Sequence, residues 1–438
     1  MLSVLASRTY RHLFLAQVIA LVGTGLATVA LGLLAYELAG ADAGLVLGTA
    51  LAIKMAAYVL VAPVAGAFAD RLPRRTMLVA LDLVRAAVAL LLPFVDAVWH
   101  VYVLIFVLQS ASAAFTPTFQ ATIPDVLPDE AEYTRALSLS RLAYDMESLV
   151  SPMLAAALLT VISFHNLFAG TVVGFLASAA LVVSVALPSP KSLEKPGIYD
   201  RTTRGMRLYL ATPRLRGLLA LNLAVAAASA MVIVNTVVLV QAGFGLSQRA
   251  TALALATYGT GSMLAALLLP RLLDHRPDRP VMLAGGGLLV LGLLGGVLAG
   301  SYTLLLPVWF LLGLANSITQ TPTGRLLRRS AVPADRPALF AAQFALSHAC
   351  WLLTYPLAGW AGPRLGFGVT FALLGGVSAI AVVVATRLWP ASSEALVEHE
   401  HPGLSPGHPH WREGVPKSFG TRHAHVAVAD DLHAFRPT

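Results

Sequence analysis

Charged residues are scarce in this sequence. Only 12% of its 438 residues are Asp, Glu, Lys or Arg, whereas 57% are apolar. That is about half the charged share of a soluble protein, so a soluble globular domain is excluded. Disorder is excluded for most of the chain, because disordered segments are poor in apolar residues. Cysteine occurs once, at Cys350, which excludes an intramolecular disulfide and a cysteine-rich metal cluster.

The apolar residues fall in continuous runs of about twenty, the helical length that crosses a bilayer core of about 30 Å. Backbone groups in lipid have to pair within their own segment, and the runs do not alternate as the strands of a barrel would, so they predict helices. Twelve runs are predicted to span the membrane, at 12–37, 44–69, 76–96, 100–123, 137–162, 166–188, 217–241, 247–269, 281–300, 303–324, 338–361 and 366–388. The predicted fold is an all-α membrane protein.

The loops carry the net charge of +8 very unevenly. Twenty Lys and Arg residues fall in the loops of one side, against Arg249 and Arg364 on the other. Basic residues favour cytoplasmic loops, so both termini are predicted to be cytoplasmic. The net positive charge therefore indicates the orientation of the chain in the membrane and contact with anionic lipid. Nucleic acid is not expected as a partner, because no recognition motif for it is present.

Two segments of the chain resemble each other. GAFADRLPRR at 66–75 matches PRLLDHRPDR at 270–279, so that Asp70 aligns with Asp274 at an offset of 204. Thr116–Thr118 matches Thr321–Thr323 at an offset of 205. Matches in register predict two pseudo-symmetric six-helix bundles in parallel, with a substrate site between them near the midplane. The predicted units are the N-terminal bundle 1–188, a cytoplasmic linker 189–216, the C-terminal bundle 217–389 and a His-rich tail 390–438.

The tail holds seven of the twelve histidines and several prolines. A disordered cytoplasmic tail is the prediction for this composition. Pairs such as His399 with His401, or His423 with His425, could offer metal ligands. Without cysteines or a folded scaffold such a site would be loose, so no metal site is predicted.

The first repeat segment carries a family resemblance. Gly66-x-x-x-Asp70-Arg71-x-x-Arg74-Arg75 resembles the signature loop of the major facilitator superfamily. Asp82-x-x-Arg85, together with Pro117, Gln120 and Ile123-Pro124, is similar to the branch of bacterial exporters that includes enterobactin and macrolide efflux proteins. The resemblance implies a transporter of the bacterial inner membrane that works by alternating access.

The resemblance also implies a conformational latch that favours the outward-open state. Gly66 would let another helix approach span two closely, and Asp70 would meet the N-terminus of span eleven. Arg71, Arg74 and Arg75 would pair with acidic groups such as Asp125 or Glu130. A weaker copy of the latch would consist of Asp274 with Arg276 and Arg279. The alternative is that these arginines only set the topology.

Charges inside the bilayer are costly and are candidates for function. Lys54 lies near the middle of span two and would attract an anionic substrate or pair with an internal carboxylate. Asp145 and Glu147 lie in span five, two positions apart and so on different sides of a helix. Arg141 can pair with Asp145 four positions later, which leaves Glu147 as the better proton carrier. Glu147 could instead pair with Lys54.

Neutral polar residues of the C-terminal bundle are candidates for the wall of a substrate cavity. For each of them, a hydrogen bond between helices is the competing interpretation. They are Asn222, Asn235, Tyr258, Asn316, Gln320, Gln343 and His348. Asp82 and Arg85, three positions apart in span three, are predicted to form a structural pair.

The resulting hypothesis is a secondary transporter, expected to be monomeric, that exports small amphipathic molecules in exchange for protons. Apolar walls with few polar anchors suit such molecules better than sugars. No Walker motif, nucleophile–base pair or metal-ligand set is present in the spans, so neither an ATP-driven pump nor an enzyme is predicted, and no cofactor is expected. The alternatives are an importer of a small anionic metabolite and a non-transporting membrane sensor.

Overall fold

Long helices make up almost all of the computed structural model, which describes residues 2–39, 43–68, 72–188, 198–333, 335–391, 396–400, 415–416 and 422–426. The α-helices are α1 (Arg8–Ala39), α2 (Ala43–Phe68), α3 (Arg74–Leu91), α4 (Val98–Val126), α5 (Glu130–Leu158), α6 (Phe164–Val183), α7 (Ile198–Ala211), α8 (Pro213–Val238), α9 (Gln248–Leu273), α10 (Asp278–Gly296), α11 (Tyr302–Gln320), α12 (Thr323–Arg329), α13 (Arg336–Leu365) and α14 (Phe367–Leu388). Short 3-10 helices lie at Leu2–Ala6 and Leu92–Phe94, and a π-helical turn at Leu239–Gly243.

Ten segments of the described chain are long and apolar enough to cross a membrane. They are formed by α1, α3, α4, α6, α8, α9, α10, α11 with α12, α13 and α14. The other two predicted spans correspond to α2 and α5. The apolar stretch of α2 is shorter, at Ala52–Ala65, and α5 contains four charged residues from Arg135 to Glu147. The chain is therefore a multi-pass helical membrane protein.

The buried apolar side chains divide between two groups of helices. Helices α1–α6, here the N-terminal group, share cores built around residues such as Phe168 and Phe119. Helices α8–α14, the C-terminal group, share cores around Trp309 and Trp389. The groups meet where α2 packs against α13, α5 against α9, and α4 against α13.

Local sequence explains where two predicted spans differ from the structure. Helix α5 begins at Glu130, well before the predicted start at 137, because the Asp129 carboxylate caps it by accepting the backbone N–H of Glu132 at 2.8 Å. The predicted tenth span is divided at Pro322, after which α12 forms a separate short helix. A proline has no N–H to donate, so the helix is interrupted there.

The predicted linker contains a packed helix. Residues 198–211 form α7, which contacts α2, α8 and α13. Tyr209 is fully buried in a core of the C-terminal group. Short amphipathic helices in a polar, proline-flanked segment give a weak sequence signal, and this one was not predicted.

Three pieces of the tail are strands in the described chain. They are β1 (Leu396–Glu400), β2 (Val415–Pro416) and β3 (Arg422–Val426), in the order β1-β3-β2 with antiparallel pairing. The register pairs His399 with His423. These short pieces do not test the prediction of a disordered tail, which stays a prediction. The rest of the tail lies outside the described residues.

Candidate functional site

Charged side chains gather at one end of the helices, where α3, α5, α10 and α13 begin and α4 and α12 end; we call it the basic end. Arg74, in the first turn of α3, pairs with Asp125 near the end of α4. Its Nη1 also donates to the backbone oxygen of Ala121 at 3.3 Å. Arg75 is exposed. The predicted latch residues Asp70 and Arg71, and the surroundings of Gly66, lie outside what the structure describes.

The C-terminal group has a matching pair with its charges exchanged. Asp278, at the start of α10, is fully buried and lies 2.9 Å from Arg325 and 3.1 Å from Arg329 of α12. Asp278 follows Arg74 by 204 positions, and Arg329 follows Asp125 by 204 positions. The internal repeat thus places an acid where its counterpart has a base, and the reverse.

The residues of the predicted second latch, Asp274 and Arg279, lie apart from each other's expected partners. Asp274 is exposed. Arg279 donates instead to the backbone oxygens of Trp389, at 2.7 Å, and Thr386, at 3.4 Å. Arg279 therefore caps the C-terminal end of α14, where a cation is favoured. The carboxylate that pairs with arginines here is Asp278, which the offset of 204 could have indicated.

Each of these two sets of charges also receives one charge from the opposite group. Arg336, at the start of α13, pairs with Asp125. Glu130, at the start of α5, lies 3.1 Å from Arg325 and also pairs with Arg329. We call the set the ionic cluster; its members are Arg74, Asp125, Glu130, Asp278, Arg325, Arg329 and Arg336. The ionic cluster ties the two groups of helices together at the basic end.

Opposite charges also face each other near the middle of the N-terminal group. The Nζ of Lys54 lies 5.6 Å from the centre of the Tyr58 ring, and Lys54 is close enough to Glu147 for Coulombic attraction. Both side chains are half-buried. Helix α1 approaches α5 tightly here, because a Cβ on Gly25 would lie 2.2 Å from the Ser151 side chain and 3.1 Å from Glu147 Oε1.

The side chain of Asp145 lies outside the described residues, so its predicted pairing with Arg141 is not tested. Arg141 itself reaches across to the C-terminal group. Its Nε and Nη2 donate to the Ser262 hydroxyl of α9 at 3.1 and 3.0 Å. This contact joins the groups about 9 Å before Glu147 along α5.

A column of rings on α13 faces this charge pair. Its members, the aromatic column, are Phe344, His348, Trp351 and Tyr355, spaced at helical intervals of four and three. The rings follow one another, with centroids 4.1 Å apart for Phe344 and His348, 4.9 Å for His348 and Trp351, and 6.4 Å for Trp351 and Tyr355. Only His348 was selected from the sequence, although the spacing could have indicated the others.

Tyr58 of α2 connects the aromatic column to the N-terminal group. Its ring lies 4.8 Å from Phe344 and 4.7 Å from His348, and its hydroxyl donates to Gln109 Oε1 at 2.9 Å. The Nδ1 of His348 donates to the backbone oxygen of Phe344 at 2.7 Å. In a neutral His348 the Nε2 is then an acceptor. Lys54, Tyr58, Glu147, His348 and Trp351 form what we call the central site.

The other predicted cavity residues differ in their contacts, and two of them form hydrogen bonds between helices. Gln343 accepts the Tyr209 hydroxyl at 2.5 Å, and Asn235 donates to the Ala358 backbone oxygen at 3.2 Å, so both join helices. Tyr258 lies near Tyr355. The remaining three are Asn222 and Asn316, both buried, and Gln320, which accepts weakly from Thr323 at 3.5 Å. Among the described residues, the Asn222 amide has no hydrogen-bond partner.

Asp82 and Arg85 form a buried pair away from the central site, between α3 and α6. Ser178 donates to the Asp82 carboxylate at 2.8 Å. The Arg85 guanidinium lies 4.0 Å from the centre of the Phe115 ring and 4.5 Å from that of Phe175. These contacts fit the predicted structural pair.

Replacing Asp82 with Asn should destabilise the protein without impairing its action. Arg85 would be left as an uncompensated buried charge, at a cost of about 3 to 5 kcal/mol. Thermal unfolding of the purified protein should occur well below the wild-type temperature, while flux per folded molecule stays at the wild-type value. A loss of flux in fully folded Asp82→Asn protein would contradict the structural assignment.

Comparison with known proteins decides the family. The model of the major facilitator superfamily matches residues 13–231 and 217–424. The chain belongs to the major facilitator superfamily. It is similar to an uncharacterized MFS-type transporter, YfiS of Bacillus subtilis, with 26% identity over 295 residues, which are 63% of this chain and 68% of that protein. It is also similar to macrolide efflux protein A of Streptococcus pyogenes, with 28% identity over 152 residues.

The macrolide efflux match spans 32% of this chain and 37% of that protein. Solved structures share the fold at low identity. The human organic anion transporter MFSD10 (TETRAN) superposes with a TM-score of 0.76 and 14% identity, over 86% of this chain and 99% of that one. A bacterial homologue of the iron transporter ferroportin, in an outward-facing state, superposes with a TM-score of 0.72 and 16% identity, over 87% of this chain and 98% of that one. This chain is thus a membrane transporter of the superfamily that resembles its efflux branch.

Proposed function

We propose that this transporter exports small amphipathic molecules in exchange for protons by alternating access. On this proposal twelve helices span the membrane, in an N-terminal half 1–188 and a C-terminal half 217–389 that rock about a site between them. The observation that carries the proposal is the central site. It places an ionisable carboxylate, Glu147, beside a cation, Lys54, within apolar helices whose basic end is closed by the ionic cluster.

The orientation follows from the basic loops, which favour the cytoplasm. With both termini cytoplasmic, the closed end is the cytoplasmic one, as it is in an outward-facing state of alternating access. The ionic cluster then acts as the latch of that state. Within the ionic cluster, Arg336 and Glu130 supply the contacts between halves, so both have to leave their partners before the transporter opens inward.

Coupling would use the two charges of the central site. When Glu147 is ionised, its charge offsets that of Lys54, and a cationic amphiphile can rest against the carboxylate and the aromatic column. When Glu147 takes a proton from outside, Lys54 is left uncompensated and repels that cation, which is then released. Asp145 is a second candidate for carrying the proton. The similarity to macrolide efflux protein A supports a substrate of this kind.

The main alternative is an importer of a small anionic metabolite. The same chemistry supports it, because protonation of Glu147 would free Lys54 to bind an anion, so that proton and anion enter together. A non-transporting sensor is a third possibility. Deleting residues 392–438 separates it from a transporter, since a transporter keeps its flux and a sensor loses its output.

Inverted membrane vesicles containing the protein test the direction and the coupling. Ethidium, a cationic amphiphile, should accumulate when the vesicle interior is acidified, and the accumulated dye should leave when a protonophore is added. Vesicles with an empty membrane provide the baseline. Accumulation that is equal with and without the proton gradient would contradict proton coupling, and accumulation of an organic anion in right-side-out vesicles instead would favour import.

A further inference from the structure

The linker helix α7 is joined to the C-terminal group both by a short connection and by packing. A single residue, Thr212, separates its end from the start of α8, whereas residues 184–197 separate it from α6. Tyr209 is fully buried beside Leu215, Leu339 and Trp389. The chain and the packing therefore both join α7 to the C-terminal group.

Polar contacts fix α7 to the first turns of α13. Arg204 forms two hydrogen bonds with the Asp335 carboxylate, at 2.6 and 3.1 Å. Such a bidentate pair fixes orientation as well as distance. The Tyr209 hydroxyl donates to Gln343 at 2.5 Å. Burial raises the pKa of Tyr209 well above its ordinary value, so this hydroxyl keeps its proton.

The backbones of α7 and α13 also touch. A Cβ on Gly205 would lie 2.2 Å from the backbone oxygen of Ala338. Backbone atoms cannot move aside as the end of a side chain can, so only glycine allows this approach.

Toward the N-terminal group, α7 packs against α2. One contact on this side is apolar and involves Met206. Its side chain lies against the cluster of Ala62, Ala113, Phe344 and Ala345, next to Tyr58 of the central site. Helix α7 thus lies across the seam between the groups, at the basic end of the central site. Asp335, which Arg204 holds, is followed directly by Arg336 of the ionic cluster.

We propose that α7 is a moving part of the closure at the basic end: it travels with α13 and separates from α2 each time that end opens. Arg204 is a positioning residue in this arrangement, because it holds the turn from which Arg336 reaches Asp125. The transporter therefore closes its basic end with the linker helix as well as with the spanning helices. This inference depends on the family's transport cycle and does not depend on the direction or the substrate proposed above.

Two cross-links test the proposal in the full-length protein with Cys350→Ala as background. The first joins Arg204→Cys to Asp335→Cys, that is α7 to α13. The second joins Met206→Cys to Ala62→Cys, that is α7 to α2. A short bifunctional methanethiosulfonate reagent makes each link, and a reductant reverses it.

Glu130→Ala is included in both proteins to favour opening of the basic end. Hydrogen–deuterium exchange of 117–126, at the end of α4, reports that opening without any substrate.

The link between α7 and α2 should slow exchange of 117–126 by about twofold or more, because it holds the basic end closed. The link between α7 and α13 takes the place of the Arg204–Asp335 pair, so it should return exchange to the value of the protein that keeps this pair, and no lower. Reduction should restore the faster exchange, and single-cysteine variants treated with the reagent should show no change. Equal exchange in the two linked proteins, or exchange in the protein linked to α13 slower than in the protein that keeps Arg204 and Asp335, would overturn the proposal.

Discussion

Replacing Glu147 with Gln should abolish proton-driven transport, with a fall in flux of about a hundredfold at saturating gradient. Glutamine keeps the size and hydrogen-bonding groups of the side chain but cannot take up a proton. A loss of about 3 kcal/mol of coupling corresponds to that change in rate. The dependence of flux on pH should disappear as well. Ethidium flux in inverted vesicles, measured at several pH values, provides both quantities.

A matched control variant removes a carboxylate that lies far from the central site. Asp96 is an exposed carboxylate in the loop before α4, where it contacts His100. Asp96→Asn also removes one carboxylate, but far from the central site, and should transport as the wild type does. Should Glu147→Gln keep a flux that still varies with pH, Glu147 is not the proton carrier, and Asp145→Asn becomes the variant to measure.

Removing the ion pairs between the groups in the ionic cluster should open the basic end. Glu130→Ala together with Arg336→Ala removes three such pairs, which together are worth about 2 kcal/mol. The conformational equilibrium should then shift by about thirtyfold toward the state open at that end. Leu137 is a suitable reporter, because its side chain lies against Gly324 of the C-terminal group. In a Cys350→Ala background, Leu137→Cys should react with a water-soluble maleimide about thirtyfold faster.

Arg249→Ala is the control for this experiment. Arg249 is an exposed arginine at the opposite end, so removing its charge should leave the labelling rate unchanged. High salt should increase labelling of the otherwise unmodified protein, since it screens exposed pairs more than buried ones. Equal labelling of the double variant and the Arg249 control would contradict the latch.

The helices themselves could be predicted from the sequence, because each crosses apolar surroundings and has to satisfy its backbone internally. Ten predicted spans correspond to helices that meet the length and composition of a span. Helix α7 could not be predicted in this way. It is short and polar overall, and its stability depends on Tyr209 and Gly205 fitting into α13, which only the folded chain brings near.

For a similar reason, the sequence indicates only some residues of the central site and of the ionic cluster. Lys54 and Glu147 were found because a charge in a spanning helix is conspicuous, and the structure brings their charges near each other. Tyr58 and Trp351 were missed because an aromatic residue in an apolar run looks like core. The partners of the ionic cluster lie at helix ends, and which of several nearby charges meet depends on helix orientation. Asp274 and Asp278 illustrate this, since only the second lies at the arginines of α12.

Proton exchange by Glu147 is the central claim, and a direct measurement tests it. Purified protein in lightly buffered solution, with a pH indicator, is mixed with ethidium. Wild type and Asp96→Asn should release about half a proton for each dye molecule bound at the midpoint of the Glu147 titration, whereas Glu147→Gln should bind the dye weakly and release no proton. Proton release by Glu147→Gln equal to that of the wild type would contradict the account.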